Sequence, residues 1–552
     1  METTHFLSRL QATVLKMWDE EAMTDIDGTA NYTYAQVANE IEKMHAQFKA
    51  IGLKEGDKIA LCGRNCAAWA ITFLAISTYK AVAVSILPDF TSENIHNMVN
   101  HSDAKLLYVG PNVKAKIDPS AMTNLLGIVF MDEFSMYSAK DEKTVKAFDK
   151  AVEDYNAAYP NGFPKDKISY PTDNIDELAL INYTSGTTSS PKGVMLSNRN
   201  LSANVDFGAT RIPHEKGDRA ISMLPIGHMF GLMYEFLYQI CDGAHIFFLT
   251  KAPSPTTLLK SLKEVQPFMI LTVPLVIEKI VRKAVFPKIK TPLMKVLWYT
   301  PGVNILIRNK VRETLMAAFG GKLRHLIIGG AAFNKEVERC LRQIKFPYTV
   351  GYGMTECAPL ITYEDWWKYK FHTCGKAIDV MDIRIQRKSN DFLNREGEVE
   401  VKGECVMMGY YKNEDATKSS FTEDGWLRTG DLGTLDFKGN LTLRGRSKNM
   451  ILRPDGQNIY PEEIEDKLNN QPLVLESLIV EQEGRLVALI VPDMQAAKEQ
   501  KKSEQDINAQ MESNLNHINK IMPQFCKVST FKLMDKEFEK TPKRSIKRFL
   551  YI

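Results

Sequence analysis

Short apolar runs alternate with amphipathic segments through the first part of the chain. Among the amphipathic segments, NYTYAQVANEIEKMHAQFKAIGL has clear helix limits, because Thr33 and Gln36 match a capping box and Gly52 follows the last turn. The apolar runs predict buried strands, and they are DKIALCG, AVAVSIL, KLLYVG, LGIVFMD, HIFFLT, FMILTVP and LRHLIIGG. Strands separated by helices predict an α/β fold with a mainly parallel sheet.

The pattern changes near residue 376, where MDIRIQRK, GEVEVKG and NLTLRGR alternate apolar and polar positions between glycine turns. These segments predict a β-rich subdomain. A small α/β pattern then resumes, with a helix that has Pro461 in its first turn and a hairpin that turns at Glu483–Gly484.

These patterns predict two domains with a boundary near Arg446–Lys448. The first, over 1–446, is expected to contain stacked α/β subdomains and the β-rich subdomain. The second, over 447–552, is a small α+β domain, and its length is ordinary for a small domain.

The most apolar stretch of the chain runs from Cys66 to Leu87. Lys80 and several hydroxyl residues interrupt it. A buried helix followed by a buried strand therefore explains the stretch better than a membrane span does. The N-terminal segment has no uninterrupted apolar core and predicts an amphipathic helix, not a signal peptide.

Composition narrows the function classes. The 70 basic and 67 acidic residues nearly balance, at a net charge of +3, so nothing in the charge points to nucleic acid. The eight cysteines include no CxxC pair, which favours reduced thiols in a cytoplasmic protein. The ten histidines show no HExxH or similar spacing, so the sequence predicts no zinc or iron site.

The segment YTSGTTSSPKGV, from Tyr183 to Val194, combines hydroxyls, glycines and one lysine. Its composition suits either a flexible linker or a phosphate-binding loop. It is not the Walker pattern GxxxxGK[ST], because Lys192 follows a proline and precedes a glycine. The apolar run LALINY precedes it and a capped helix start, VMLSNRNLSANV, follows it, so we expect a phosphate-binding loop between a strand and a helix.

Read as a whole, this segment resembles the signature loop of the adenylate-forming superfamily, which includes acyl-CoA synthetases, firefly luciferase and peptide-synthetase adenylation domains. The one departure in the loop is Ser189, where the family usually has glycine. Further segments resemble the family's motifs in the same order: LPIGHMFG, IIGGAAF, GYGMTE, WLRTGDLG, LRGRSKNMI and DGQNIYPEEIE. The resemblance covers nearly the whole chain and is strongest to bacterial long-chain fatty-acid–CoA ligases.

The resemblance implies a two-step reaction. A carboxylate attacks the α-phosphate of ATP to give an acyl-adenylate and pyrophosphate, and a thiol, usually that of coenzyme A, then takes the acyl group. It implies that the ATP-binding residues are Thr184, Ser185, Gly186, Thr187, Thr188, Lys192, Gly330, Ala331, Tyr352, Gly353, Thr355, Asp431 and Arg446. Tyr352 is expected to stack on adenine, and Asp431 and Arg446 to contact the ribose.

The same resemblance implies further roles. Glu356, with help from Thr184, is the expected ligand of Mg²⁺. His228 is expected to border the acyl group and the phosphate, although a histidine among apolar neighbours also suits an ordinary core position.

Lys448 matches the hinge about which the family's small, mobile C-terminal domain rotates between the half-reactions. Gly456 and Asn458 match the loop near the pantetheine arm of coenzyme A.

The end of the chain departs from the family pattern. In EFEKTPKRSIKRFLYI, aligning Lys540 and Arg548 on the family's lysine and arginine puts Ser545 where a catalytic lysine is expected. Lys543 and Lys547 lie two residues to either side. We expect one of them to supply the missing charge.

The sequence is therefore interpreted as an ATP-dependent fatty acid–CoA ligase with Mg²⁺ as cofactor. Two alternatives stay open: an acyl-ACP synthetase that uses a carrier-protein thiol, and a non-catalytic nucleotide- or acyl-binding homologue. The segment from Val285 to Ala331 resembles an insertion of the long-chain branch. Its apolar and basic mixture suits either a membrane surface or a helical hairpin packed on the domain.

Overall fold

The computed structural model describes residues 3–184, 191–251, 255–330, 333–387, 395–452, 458–482, 484–541 and 546–552. Two large sheets, each covered by helices, build most of the N-terminal part. A four-stranded antiparallel sheet follows, and a small three-stranded sheet with its own helices ends the chain. The structure thus has the mixed α/β fold that the sequence predicts.

The first sheet has eight strands, and its central strands are parallel. In spatial order they are Gly409–Tyr410, Lys192–Ser197, Leu178–Thr184, Val82–Ile86, Lys58–Cys62, Ala104–Val109, Gly127–Phe130 and Ser135–Ala139. The stretch from Cys66 to Leu87 contributes a buried helix, Ala67–Thr78, and the buried strand Val82–Ile86, as predicted.

The second sheet has seven strands and is parallel except at one edge. Its order is Tyr348–Val350, His325–Ile328, Met269–Thr272, Arg219–Ser222, His245–Phe248, Glu21–Asp25 and Asn31–Thr33. A three-stranded sheet continues beyond it, formed by Tyr352–Gly353, Leu360–Tyr363 and Lys376–Ala377.

The helices of the N-terminal part pack on these sheets. They are Phe6–Lys16, Tyr34–Ala50, Ala67–Thr78, Ser92–His101, Glu142–Ala158, Asn198–Arg211, Met229–Gly231, the π-helix Leu232–Leu237, Tyr238–Asp242, Pro255–Val265, Pro274–Ala284, Phe286–Ile289, Pro292–Tyr299, Val303–Ala318, Lys335–Gln343 and Glu414–Ser420. The predicted capping box of Thr33 with Gln36 is present. None of the helices formed by the described residues has the length and apolar character that crossing a bilayer requires.

The connection around the hydroxyl-rich loop differs from the prediction. The strand Leu178–Thr184 pairs antiparallel with Lys192–Ser197, so the loop joins two strands, not a strand and a helix. Val194 and Leu196 are buried on one face, which suits an extended strand, and Ser197 caps the following helix. The helix N-terminus therefore begins at the far end of that strand from the loop.

The β-rich subdomain is a four-stranded antiparallel sheet of Met381–Arg387, Gly397–Gly403, Leu427–Leu435 and Leu441–Arg446. The C-terminal part contains the strand pair Ile451–Leu452 and Asn458–Ile459, the sheet of Val474–Gln482, Arg485–Pro492 and Val528–Leu533, and the helices Pro461–Leu468, Met494–Glu499 and Glu504–Ile521. The predicted proline in the first turn at Pro461 is present.

A buried ion pair holds the end of the chain to the C-terminal sheet. The Arg548 guanidinium donates to both carboxylate oxygens of Glu465, at 2.7 and 2.8 Å, and to the carbonyl of Ile479 at 2.6 Å. Glu465 also accepts from the Ile479 N–H at 2.7 Å. Removing one partner of a buried, hydrogen-bonded pair leaves the other charge uncompensated.

We expect Arg548→Ala to lower the free energy of unfolding of the C-terminal part by about 3–5 kcal/mol, because Glu465 would stay buried without its cation. Hydrogen exchange of the strand Val474–Gln482 in the full chain measures this loss. Lys532→Ala, which removes an exposed lysine from the same sheet, is the matched control and should leave exchange unchanged. Equal protection in both variants would contradict a stabilising role for the pair.

Candidate active site

Asp431 is buried at the centre of a polar cluster with buried Tyr352 and with Arg446, whose side chain is about half exposed. Its Oδ2 accepts a hydrogen bond from the Tyr352 hydroxyl at 2.6 Å, and its Oδ1 lies 2.7 Å from Arg446 Nε. Asp431 and Arg446 face each other on paired strands of the β-rich subdomain. Burial raises the pKa of the Asp431 carboxyl, and the Arg446 charge and the Tyr352 hydroxyl oppose that shift.

A second cluster forms beside the hydroxyl-rich loop. Thr184 and Lys192 are register partners at the two ends of the loop. Lys192 Nζ lies 4.9 Å from the centroid of the Tyr410 ring, and the Tyr410 hydroxyl donates to Glu356 Oε1 at 3.0 Å. Tyr410, in the edge strand Gly409–Tyr410, thus contacts a cation through its ring and a carboxylate through its hydroxyl.

The two clusters belong to one site. Tyr352, whose hydroxyl donates to Asp431, and Glu356, which accepts from the Tyr410 hydroxyl, are four residues apart along the chain. Thr355 and Glu356 lie in the short turn Thr355–Cys357 that follows the strand Tyr352–Gly353. A single stretch of chain therefore supplies groups to both clusters.

His228 belongs to a loop that is tied to the same sheet. Its Nδ1 accepts from the Phe230 N–H at 3.2 Å and caps the helix Met229–Gly231. The carbonyl of the preceding residue, Gly227, accepts from Ser85 Oγ and Asn182 Nδ2, both at 3.0 Å. Asn182 lies two residues before Thr184, so the His228 loop lies next to the strand Leu178–Thr184, which leads into the hydroxyl-rich loop.

The glycine turn after His325–Ile328 approaches the same loop. A Cβ atom added to Gly329 would lie 3.2 Å from the Phe230 ring, so the absence of a side chain makes room for that ring. Gly330 has a φ of +87°, in the left-handed region that favours glycine. Steric constraints thus explain why both positions are glycine, and the sequence motif alone does not reveal these constraints.

Glu235 holds the backbone of the loop that carries His228, and the sequence interpretation missed this residue. It is 2% exposed, and its Oε2 accepts from the N–H groups of Met223 and Leu224, both at 2.8 Å. It lies in the π-helix Leu232–Leu237, a geometry often found near functional sites. Burial raises the pKa of its carboxyl well above the usual range.

Of the two residues that the sequence interpretation missed, only Glu235 has a visible signal in the sequence. Glu235 is a lone acidic residue in the apolar segment GLMYEFLYQIC. Tyr410 follows a glycine in the short segment MMGYYKN, where no pattern marks it. The pairing of Gly409–Tyr410 with Val194 and Met195 brings Tyr410 next to Lys192 and Glu356.

The C-terminal part touches the rim of the site through the helix Pro461–Leu468. The Asn449 side-chain amide donates to Glu462 Oε1 at 2.5 Å, and Arg444 Nη1 lies 3.3 Å from Glu463 Oε1. Lys448 lies in the short turn Ser447–Asn449, directly after Arg446. Its hinge role stays a prediction, as does the domain boundary.

Lys547 is the described member of the two candidate lysines. Its Nζ lies 3.3 Å from Glu539 Oε2, and its side chain is about one third exposed. Several predicted site residues lie outside the described residues, namely Ser185, Gly186, Thr187, Thr188, Ala331, Gly456, Lys543 and Ser545. The side chain of Asn458 is likewise outside them.

The donor set fits a magnesium ion. Glu356 offers a carboxylate and Thr184 a hydroxyl, and Mg²⁺ typically takes one or two carboxylates together with phosphate oxygens and water. Among the described residues, no group of three or more His, Cys, Asp or Glu side chains is arranged to hold a metal by itself.

Two family models match the chain. The AMP-binding enzyme model matches residues 10–411, and the AMP-binding enzyme C-terminal domain model matches residues 448–551. A long-chain-fatty-acid–CoA ligase, FadD15, of Mycobacterium bovis is 27% identical, over 82% of this chain and 76% of its own length. The rat long-chain-fatty-acid–CoA ligase 5 is 28% identical, over 84% of this chain and 71% of its own length.

A solved structure has the same fold over almost the whole chain. O-succinylbenzoate coenzyme A synthetase (MenE) from Bacillus subtilis, in complex with ATP and magnesium ion, superposes with a TM-score of 0.73 at 21% identity and covers 98% of each chain. The two family models together span most of the sequence and contain the segments YTSGTTSSPKGV, LPIGHMFG, IIGGAAF, GYGMTE and DGQNIYPEEIE, whereas WLRTGDLG lies between them. The chain is a member of the AMP-binding, adenylate-forming enzyme family of acyl-CoA ligases.

Proposed function

We propose that this enzyme activates a medium- or long-chain fatty acid with ATP and transfers the acyl group to coenzyme A, giving acyl-CoA, AMP and pyrophosphate. The observation that carries the proposal is the convergence of Lys192, Glu356 and the Asp431–Arg446 pair on one site. The fatty-acid class is supported by the curated relatives, which are named long-chain-fatty-acid–CoA ligases.

In the first half-reaction, a fatty-acid carboxylate approaches a triphosphate, so like charges have to be compensated. Lys192 supplies a cation at the end of the loop that is expected to hold the phosphates. Glu356, with Thr184, would hold Mg²⁺, which supplies further positive charge to the phosphate oxygens. Asp431 offers carboxylate oxygens to the ribose hydroxyls, with Arg446 fixing its orientation.

A panel of carboxylic acids tests both the class of acyl substrate and the alternative that the protein is non-catalytic. With ATP, Mg²⁺ and coenzyme A present, we expect AMP release to be fastest with medium- or long-chain fatty acids. AMP release only with aromatic or dicarboxylic acids would contradict the fatty-acid class. ATP binding without AMP release for any acid would favour the non-catalytic alternative.

The acceptor is tested by replacing coenzyme A with a holo acyl carrier protein in the same assay. We expect thioester formation with free coenzyme A, because the pantetheine-facing loop of the family is matched around Gly456 and Asn458. Thioester formation on the carrier protein alone would support the acyl-ACP synthetase alternative. The adenylation rate, measured as pyrophosphate release, is the control because it precedes acceptor choice.

The source of the C-terminal charge is tested with Lys543→Ala and Lys547→Ala. Loss of a cation near the reacting phosphate should lower acyl-dependent ATP–pyrophosphate exchange by roughly 10²–10³-fold in one of the two variants. Lys536→Ala, an exposed lysine of the same domain, is the matched control. Undiminished exchange in both variants would rule out both lysines as the replacement for the residue expected at Ser545.

Glu235 is proposed as a positioning residue for the His228 loop. Glu235→Leu leaves the buried N–H groups of Met223 and Leu224 without an acceptor, a loss of about 1–3 kcal/mol. We expect adenylation kcat/KM to fall at least about tenfold if that cost reaches the loop.

Glu235→Gln is the matched control, because its carbonyl oxygen can still accept from both N–H groups. A role in positioning predicts near-normal kcat/KM for Gln and a loss for Leu, at equal ATP affinity. Equal loss in both variants would instead point to a need for the carboxyl group itself.

A further inference from the structure

Two helices that precede the strand His325–Ile328 and its glycine turn form an exposed hairpin, here called the helical hairpin. It consists of Pro292–Tyr299 and Val303–Ala318, joined by residues 300–302. Its inner side is anchored by the buried side chains of Trp298 and Leu315. Trp298 Nε1 donates to Gln343 Oε1 at 3.0 Å, and Arg308 donates to the Trp298 carbonyl at 3.0 Å. The helical hairpin is therefore packed against the domain and held there by hydrogen bonds.

The outer side of the helical hairpin carries large apolar side chains in solvent. Six residues share this property and lie within one short stretch: Leu293 (69% exposed), Val296 (66%), Tyr299 (67%), Val303 (38%), Ile305 (60%) and Leu306 (72%). They make up six of the sixteen exposed large apolar residues among the described residues. Such a concentration marks an interaction surface, because single exposed apolar residues are normally scattered.

Positive charge surrounds this apolar face. Residues 285–312 contain six lysines and arginines and no acidic residue, although the whole chain is nearly neutral. Lys288, Lys295 and Lys310 are exposed. Lys310 lies 3.9 Å from Glu313, just beyond this range, and Lys290 lies 2.9 Å from Glu336, so the charge of the stretch is partly compensated but remains positive. Apolar side chains flanked by lysines are the pattern of a surface that inserts into an anionic bilayer, where each lysine near the headgroups adds about 1 kcal/mol.

We propose that the outer face of the helical hairpin docks on an anionic phospholipid bilayer, with its apolar side chains in the headgroup and acyl boundary. The charge argues for this occupant over a second copy of the chain, because two copies of a positively charged face repel each other. A bilayer instead offers anionic headgroups to the lysines and an apolar interior to the exposed apolar side chains.

The chain connects the helical hairpin to the neighbourhood of the active site. The helix Pro274–Ala284, which leads towards the hairpin, begins one residue after Val273. Val273 Cγ1 lies 3.8 Å from the position of a Cβ on Gly330, in the glycine turn of the active site. We infer that docking would deliver a membrane-dissolved fatty acid to the active site, and this part of the inference rests on the proposed function. The docking itself is measured without turnover.

The apolar part is tested with the double variant Leu293→Ser/Leu306→Ser. We expect the full-length protein to sediment with vesicles of phosphatidylcholine containing roughly one quarter phosphatidylglycerol, and less with phosphatidylcholine alone. The double variant should bind these vesicles about a hundredfold more weakly, because two leucines no longer leave water. Tyr137→Ser/Phe437→Ser, at residues 54% and 89% exposed elsewhere, is the matched control and should bind like the parent.

The charge part is tested with the triple variant Lys288→Gln/Lys295→Gln/Lys310→Gln. Each lysine should contribute about fivefold to binding of the anionic vesicles, and the effect should disappear in high salt. Lys146→Gln/Lys150→Gln, on a distant exposed helix, is the matched control.

Two results would overturn the docking proposal. One is vesicle binding that none of the hairpin variants weakens. The other is a dimer in sedimentation that the leucine variant dissociates, without vesicle binding, which would make the face an interface between two copies. Adenylation of a water-dissolved acid without vesicles should be unchanged in all variants, so loss of docking is distinguishable from failure of the proposed reaction.

Discussion

The pairing of Asp431 with Arg446 is the interaction on which the arrangement of this site depends. The carboxylate is 6% exposed, and a buried carboxylate needs a cation and hydrogen-bond donors to remain in place. Arg446 and the Tyr352 hydroxyl supply them from two different sheets. The pair thus joins the strand that follows the second large sheet to the β-rich subdomain.

The same pair lies at the junction with the C-terminal part. Arg446 ends its strand, and the turn Ser447–Asn449 follows at once. Asn449 contacts Glu462 at the start of the first C-terminal helix. A change in the position of the C-terminal part would therefore act on residues directly next to the cluster of Asp431, Arg446 and Tyr352. This coupling gives a physical basis for the expected hinge at Lys448.

Buried polar groups also shape the rest of the site. Glu235, Asn182 and Ser85 do not belong to the family motifs that the sequence displays, yet each bonds the backbone of the loop that carries His228. Because a buried N–H or carbonyl without a partner is costly, these side chains restrict the loop to one conformation. The outer face of the helical hairpin presents the opposite case, since its apolar side chains remain in water and call for a partner outside the chain.

The sequence by itself determined the α/β class, the β-rich subdomain and the family, and it predicted a set of nucleotide-site residues. These follow from local periodicity and from motifs whose residues are close together along the chain. The expected strand-to-helix loop was wrong, because Lys192–Ser197 pairs with Leu178–Thr184 and a pairing partner is not a local property. Tyr410 and Glu235 reach the site only through such long-range contacts. Tertiary packing likewise decided which side of the helical hairpin is buried. The hairpin has apolar residues on more than one side, and the domain buries only some of them, such as Trp298 and Leu315.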